Sequence, residues 1–337
     1  MTVRVGINGF GRTGRALFRA ADRKELDLEI VGVNDLASPE ALARLLARDS
    51  VFGRYGLPVS VDGTVMEVGG HKVTMLAESE VKALPWNELG VDVVVESTGR
   101  FTDRTKAAAH LDAGAPRVVV SAPSKGADAT FVMGVNDGTF DPASHLVVSN
   151  ASCTTNCLVP MVKVLDEAFG LEQGFMTTVH AYTGDQRLVD SVHKDARRAR
   201  AAALNIVPTT TGAARATGEV LPQLAGRLDG IALRVPVPDG SVTDLVATVR
   251  AAPSADDVRQ AFRAAATSGP LVGRLVYADD AVVSSDVVGD PASCIFDAEM
   301  TMAAGNVVKV LGWYDNEWGY ANRLAELTAK VGAAPHP

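Results

Sequence analysis

The sequence predicts an α/β, Rossmann-type dinucleotide-binding domain over residues 1–151, then an α+β catalytic domain over residues 152–316 whose sheet is mostly antiparallel. A last helix, at about 317–331, is expected to pack back on the first domain. Three observations carry this reading. A glycine-rich loop stands between a strand pattern and a helix pattern near the N-terminus. Short apolar runs alternate with helical periods through the first half. A hydroxyl-rich turn holding Cys153 then opens a second half of a different pattern.

Bulk properties fit a two-domain globular chain. It has 337 residues, 47% hydrophobic and 21% charged, enough to bury large cores. A net charge of −8 argues against nucleic acid as the main partner, because a phosphate backbone calls for a basic excess. Three cysteines with no CxxC point to a reducing compartment rather than a disulfide scaffold. Met1-Thr2-Val3-Arg4-Val5 enters a strand at once, so no signal peptide is expected, and no apolar run is long enough to span a bilayer. A soluble, cytoplasmic protein with no membrane contact is the expectation.

Val3 to Asn8 reads as a strand, followed by Gly9-Phe10-Gly11-Arg12-Thr13-Gly14 and a helix through Leu17, Phe18 and Ala21. The next strand, Glu29 to Asn34, ends in Asp35, 21 residues after Gly14. In that context Gly9 makes the turn, Gly11 admits a pyrophosphate, Gly14 lets helix pack on strand, and Asp35 meets a ribose hydroxyl. An acid there repels a 2′-phosphate, which favours NAD over NADP. Ser38-Pro39-Glu40 opens a helix to about Ala47. Runs at Val59–Val61, Val65–Val68 and Lys72–Met75, split by Asp62-Gly63 and Gly69-Gly70, read as antiparallel hairpins. A strand at Val91 to Glu96, a helix from about Asp103 to Gly114 and a strand at Arg117 to Ser121 resume the α/β order. Ligands in such a sheet sit beyond the carboxyl ends of strands, so Thr98, Gly99 and Ser121 are candidates to line the cofactor.

Ser149-Asn150-Ala151-Ser152-Cys153-Thr154-Thr155-Asn156-Cys157 follows the strand end Leu146-Val147-Val148 and precedes a helix to Phe169-Gly170. Ser152 is the expected N-cap, and Cys153 falls in the first turn. Free N–H groups and the helix dipole there favour a thiolate and lower its pKa, and the same turn suits an anion. Cys157, one turn on, and Cys294 read as core.

The strand Gly174 to Val179 ends at His180, 27 residues after Cys153, a candidate base and imidazolium partner. Ala181 to Asn205 is a long polar loop carrying Lys194, Arg197, Arg198 and Arg200. Pro208-Thr209-Thr210-Thr211-Gly212-Ala213 introduces a second hydroxyl-rich helix N-terminus. Arg234 is a charge at a strand end and calls for a partner. Thiolate, imidazole, two helix N-termini and arginines together suggest a phosphate-bearing substrate attacked at carbon. A strand from Val242 to Val249, a helix from Asp256 to Ala266, strands near Cys294–Asp297 and Val307–Trp313, and a final helix to about Lys330 complete the chain. No metal-ligand cluster is apparent.

Ser-Cys-Thr-Thr-Asn-Cys, His-Ala-Tyr-Thr, Thr-Thr-Thr-Gly-Ala-Ala, Arg-Val-Pro and Trp-Tyr-Asp-Asn-Glu, following the cofactor motif, resemble phosphorylating glyceraldehyde-3-phosphate dehydrogenase along essentially the whole chain. The resemblance implies that Cys153 forms a thiohemiacetal and then a thioester, with His180 as its base. It places the substrate phosphate on Thr183 and Arg234, with Asp185 nearby. It places inorganic phosphate on Ser152, Thr154, Arg198, Thr211 and Gly212. NAD falls to Arg12, Asp35, Thr98, Ser121, Asn316 and Tyr320, of which Asn316 holds the nicotinamide amide. A homotetramer is implied, the loop at about 182 to 205 meeting a neighbour's cofactor site.

The chain departs from the family pattern in three places. Thr13 replaces an apolar residue, Ser79 stands where many relatives carry an arginine over the adenine, and Asp190-Ser191-Val192 replaces Asp-Leu-Pro. The last change leaves room for some NADP use. Alternatives are an erythrose-4-phosphate or non-phosphorylating dehydrogenase of the same family, a Cys-His thiol hydrolase, and a non-catalytic binding protein.

Overall fold

The computed structural model describes residues 2–22 and 26–336, and the chain divides into two compact units. The first comprises Met1–Phe131, Thr139–Ala151 and Ala321–Pro337; the second comprises Val132–Gly138 and Ser152–Tyr320.

The first unit carries β1 (Val3–Asn8), α1 (Arg12–Ala21), β2 (Leu28–Asn34), α2 (Pro39–Ala47), β3 (Arg48–Asp49), β4 (Gly53–Arg54), β5 (Val59–Asp62), β6 (Val65–Val68) and β7 (His71–Leu76). There follow β8 (Val93–Glu96), α3 (Arg104–Ala107), α4 (Ala109–Asp112), β9 (Val118–Val120), β10 (Ala129–Thr130) and β11 (Val147–Ser149). Nine strands form one sheet in the order β10-β11-β9-β8-β1-β2-β7-β6-β5. Pairing is parallel from β10 to β7 and antiparallel for β6 and β5, so the expected hairpins extend the parallel sheet at one edge.

Val5, Ile7, Val33, Val93, Val94, Val95, Val118 and Val119 are buried, the near-continuous apolar run of a sheet covered on both faces. Trp86 is fully buried against Gly6, where a Cβ would lie 2.8 Å from its ring, and a Cβ on nearby Gly32 would lie 2.7 Å from Leu89. Its indole Nε1–H donates to His110 Nδ1 at 3.0 Å, which places the remaining ring proton of a neutral His110 on Nε2, 3.0 Å from Glu96 Oε2. Asn8 Nδ2 donates to the same oxygen at 2.7 Å, and Asn34 Nδ2 donates to Asn8 Oδ1 at 2.7 Å. The polar ends of three neighbouring strands are thereby satisfied inside an apolar sheet.

One helix expected at about 103–114 is two, α3 and α4. Leu111 N–H bonds to Ala108 O and Gly114 N–H to Leu111 O, three-residue contacts that tighten the chain before Gly114. The helix α2 begins as expected, Ser38 Oγ accepting the Ala41 N–H at 3.3 Å.

The second unit holds α5 (Cys153–Phe169), β12 (Leu171–Ala181), β13 (Val207–Thr210), α6 (Ala213–Val220), β14 (Leu228–Val235), β15 (Ser241–Val249), α7 (Ala255–Thr267), β16 (Leu275–Ala278), β17 (Cys294–Ala304) and β18 (Val307–Tyr314). The final helix, α8 (Trp318–Gly332), starts in this unit and continues into the first. Seven strands run β13-β14-β12-β15-β18-β17-β16, antiparallel except for the parallel pairs β12–β14 and β16–β17. The sheet packs on α5, whose residues Cys157, Leu158, Met161, Val162 and Leu165 are fully buried. Cys157 and Cys294 are core, as expected. Gly312 on β18 is needed for that packing, since a Cβ there would lie 2.7 Å from Cys294 Sγ and 2.8 Å from Met161 Sδ.

Two strand readings are corrected. The segment Pro208–Ala214 is not a single helix entry: Val207–Thr210 pairs with β14, and the helix begins only at Ala213. β16 was not expected; it pairs with β17 in parallel. Among the described residues no helix is long and apolar enough to cross a membrane, and no cluster of metal-ligating side chains is present.

Candidate active site

Cys153 opens α5 because Ser152 caps it, the Ser152 Oγ accepting the Thr155 N–H at 3.0 Å. The facing wall comes from the two-residue period of β12, in which Met176, Thr178 and His180 are buried on one face and Phe175 is exposed on the other. That period turns His180 toward α5, with Nε2 3.4 Å from Cys153 Sγ. His180 lies inside β12 rather than just past it, directly across from Arg234 in the parallel β12–β14 register. Arg234 finds the partner its burial demands in His180 Nδ1, 2.6 Å from Nη1, and in Ala181 O at 3.1 Å.

His180 Nδ1 also lies 2.7 Å from Ala181 O. If Nδ1 carries the proton it donates to that carbonyl and Nε2 presents a lone pair to the sulfur; otherwise Arg234 donates to Nδ1 and Nε2–H faces the sulfur. Arg234 reaches Ala181 O in either state, but its Nη1 has only donors to offer at 2.6 Å, so the resting contact favours the second tautomer, and Nε2 becomes an acceptor when the guanidinium shifts off Nδ1.

Electrostatics depart from the sequence reading. The thiol of Cys153 is raised, not lowered: burial pushes it up, while Arg234, the Thr154 side chain and the Thr154 and Cys153 amides pull it down without overcoming burial. His180 is lowered to about 3 by burial and by the Arg234 charge, against the Ala181 carbonyl and Asp185. The resting pair is therefore thiol and neutral imidazole, not thiolate and imidazolium.

The other expected residues of this unit divide in two. Asp185, Arg198 and Thr183 are together: Arg198 Nη1 and Thr183 Oγ1 both donate to Asp185, and Arg198 Nε donates to Thr209 Oγ1 at 3.0 Å. Asp185 stays below the usual carboxylate range, since Thr183, Arg198 and Arg234 outweigh the burial that pushes it up. At the head of α6, Thr211 Oγ1 accepts the Ala213 N–H at 3.2 Å and Gly212 is exposed. Thr154 is different: its hydroxyl is buried against Tyr314 Oη at 2.9 Å, where an anion has no access to it.

Tyr314 was missed by sequence reasoning. Its hydroxyl joins Thr154 and Thr178 Oγ1, 2.8 Å away, and its ring meets His180 edge-on at 6.0 Å. Ser241 was missed too: its Oγ donates to Asn316 Oδ1 at 2.6 Å and accepts the Ala181 N–H at 3.1 Å. The only sequence signal for Tyr314 was its place beside Asp315-Asn316, and Ser241 had none. Tyr320 and Asn316 are both buried.

In the first unit Gly9, Asp35 and Thr98 follow the carboxyl ends of the adjacent strands β1, β2 and β8, at the point where strand order reverses. Gly9 has φ +94°, and a Cβ on Gly14 would stand 2.3 Å from Gly9 O, while nothing lies within 4 Å of one on Gly11. This is a cradle closed beneath and open above. Asp35 accepts the Phe10 N–H at 2.8 Å and the Ala37 N–H at 3.1 Å, so its carboxylate is fixed at the strand end. Thr98 donates from N–H and hydroxyl to Glu96 Oε1, and Ser121 N–H donates to Glu96 O at 2.9 Å. Gly99 is exposed and Thr13 half-buried on α1. Arg12 pairs with Asp49 at 3.0 Å. The loop and its acid fit a dinucleotide with a free ribose hydroxyl.

Residues 3–104 match the family model described as glyceraldehyde 3-phosphate dehydrogenase, NAD binding domain, and residues 152–316 match the C-terminal domain of the same description. Glyceraldehyde-3-phosphate dehydrogenase 2 of Streptomyces arenae is 58% identical over 334 residues, covering 99% of this chain and all of that protein. The glyceraldehyde-3-phosphate dehydrogenase of Streptomyces coelicolor is 58% identical over 333 residues, with 98% and 99% covered. That of Mycolicibacterium smegmatis is 56% identical over 339 residues, with the same coverage. With both halves matched and relatives alike end to end, the chain belongs to the glyceraldehyde 3-phosphate dehydrogenase family.

Proposed function

We propose that the protein oxidises D-glyceraldehyde 3-phosphate and captures the acyl group with inorganic phosphate, yielding 1,3-bisphosphoglycerate. The observation that carries this reading is the Cys153 Sγ to His180 Nε2 contact of 3.4 Å, with Arg234 behind the ring. Dinucleotide binding is assigned to residues 1–151 with the last helix, and catalysis to 152–316.

Cys153 Sγ adds to the aldehyde carbon while His180 Nε2 relays the thiol proton to the carbonyl oxygen, forming a thiohemiacetal. Because the thiol is raised, this relay is needed at neutral pH. The Cys153 N–H at the head of α5 and His180 Nε2–H stabilise the oxyanion, a contribution of about 3 kcal/mol per donor. Bound NAD supplies the hydride acceptor. His180 takes back the hydroxyl proton, leaving a thioester on Cys153. A phosphate oxygen then attacks the acyl carbon, the C–S bond breaks, and the sulfur regains its proton from His180.

We assign the substrate phosphate to Thr183 and Arg234 with Asp185 near them, and the attacking phosphate to Ser152, Arg198, Thr211, Gly212 and the backbone of Thr154. The cofactor is assigned to Gly9, Gly11, Arg12, Thr13, Gly14, Asp35, Thr98, Gly99 and Ser121, with Asn316 and Tyr320 at its nicotinamide end. Asp35 favours NAD, and Ser191-Val192 leaves room for some NADP use. A homotetramer is supported by apolar side chains exposed on the outer face of the second unit's sheet, Phe175 at 75% and Met302 at 57%, and in its long loop, Leu188 at 82% and Val192 at 92%. Three free cysteines fit a reducing, cytoplasmic setting.

The test is the initial rate of nicotinamide reduction with glyceraldehyde 3-phosphate, with and without phosphate, using NAD or NADP, and Cys153→Ser as control. A phosphate-dependent, NAD-preferring rate lost in the variant is expected. A phosphate-independent rate would move the assignment to a non-phosphorylating dehydrogenase, and no rate at all would sink it.

A further inference from the structure

The turn at Asp239-Gly240-Ser241 leads into β15 and faces the corner Asp315-Asn316-Glu317 that follows β18. Asp239 is 3% exposed and Asp315 is 1% exposed. Asp239 Oδ1 accepts the Gly240 N–H at 2.8 Å, but Oδ2 is buried with no hydrogen-bond partner. The antiparallel β15–β18 register, with Ser241 opposite Tyr314, brings the Asp315 carboxyl beside it. Asp315 is saturated by backbone donors: Oδ1 takes the Glu317 and Trp318 N–H at 2.8 and 2.6 Å, and Oδ2 takes the Gly289 N–H at 2.7 Å. Two ionised carboxylates offer each other only acceptors, so this contact becomes attractive only when a proton lies in it.

The turn cannot swing away to relieve the contact. Gly240 has φ +82°, and a Cβ there would lie 2.1 Å from Ser284 O, so the backbone is pressed against the neighbouring loop. Next in the same turn, Ser241 ties the Asn316 amide by its oxygen. We propose that Asp239 and Asp315 share one proton, and that this bridge and the Ser241 hydroxyl together hold the Asn316 amide in place, making Asp239 and Ser241 positioning residues for the cofactor. The cofactor part rests on the assignment of Asn316 above; the shared proton does not.

The proton belongs chiefly to Asp239. Three backbone donors favour the charged form of Asp315, and only one favours that of Asp239. The charged groups facing Asp239 are Asp315, from the end of β18, and Glu317, from the start of α8; the loop at 284–289 presents Ser284 O and the Gly289 N–H. Burial first, then these two acids, lift Asp239 to about 8. Above that pH the bridge loses its proton, like charges face one another, and the Asn316 corner is pushed from its position.

The experiment pairs infrared spectroscopy of the full-length protein with cofactor kinetics. A protonated-carboxyl C=O band is expected at pH 7, absent in Asp239→Asn and lost from the wild type with an apparent pKa near 8. The KM for NAD should rise about fivefold across the same pH range, the worth of one misplaced hydrogen bond, with kcat changing less. In Asp239→Asn the amide donates to Asp315 at every pH, so its KM should stay flat, while Ser241→Ala should raise KM about fivefold throughout. No carboxyl band at pH 7 overturns the shared proton, whether or not the protein proves to be a dehydrogenase. A band that titrates while KM does not follow it, or an Asp239→Asn protein whose KM rises with the wild type, overturns the positioning role.

Discussion

At the scale of single residues, Arg234 governs the chemistry by its charge on two neighbours. It holds the His180 imidazole down and the Cys153 thiol below where burial alone would take it. Arg234→Gln should therefore slow alkylation of Cys153 by iodoacetamide at neutral pH and move the pH–rate profile to higher pH. An unchanged profile would mean that the guanidinium does not set the thiol. The imidazole also links the site to stability. Its folded pKa, about 3, lies below its ordinary value of 6.5, so between those limits the unfolded chain binds the extra proton. Stability should fall as pH drops from about 6.5 toward 3, by a few kcal/mol in all. Denaturant titrations of wild type and His180→Asn across that range check the sign: the variant should lose much of the slope.

At the scale of elements, α5 does two things that pull on its sequence differently. Its first turn must present Cys153, Ser152 and exposed amides, while its body is buried almost all round, from Thr154 to Leu165. The body is fitted to β18 through sulfur: Cys157, Met161 and Cys294 converge on Gly312. Gly312→Ala forces a methyl into that contact and should cost about 1–3 kcal/mol in chemical denaturation. Folded Gly312→Ala should keep its phosphate-dependent rate within about twofold, because the change is spent on packing rather than on transition-state contacts. A neutral effect on stability would show that the three sulfurs have room to move.

At the scale of the whole molecule, the second unit leaves large apolar side chains in water. Phe175, Ile231 and Val246 share the face of the sheet opposite α5, and Leu204 and Ile206 add to the long loop. A single copy rarely exposes so much apolar surface without a partner. Sedimentation should give a mass four times that of the 35.2 kDa chain, and Phe175→Lys with Ile231→Lys should shift it to smaller species. A wild-type monomer at micromolar concentration would overturn the tetramer.

What the sequence determined by itself was local. A glycine loop between strand and helix, an acid at the next strand end, a Ser N-cap before Cys153 and a two-residue period ending at His180 are patterns over a few residues, and local backbone rules suffice to read them. The Cys153–His180 pairing was legible because both positions carry chemistry that burial in a core does not require. Tertiary structure decided what depends on neighbours distant in the chain. Burial reverses the expected thiolate–imidazolium pair; Arg234, 81 residues beyond Cys153, helps keep the imidazole neutral while pulling the thiol the other way. Tyr314 turns the Thr154 hydroxyl inward across 160 residues. Asp239 meets Asp315 only because β15 and β18 pair antiparallel, with Ser241 opposite Tyr314. A pKa measures desolvation and charge through space, and spacing along the chain records neither.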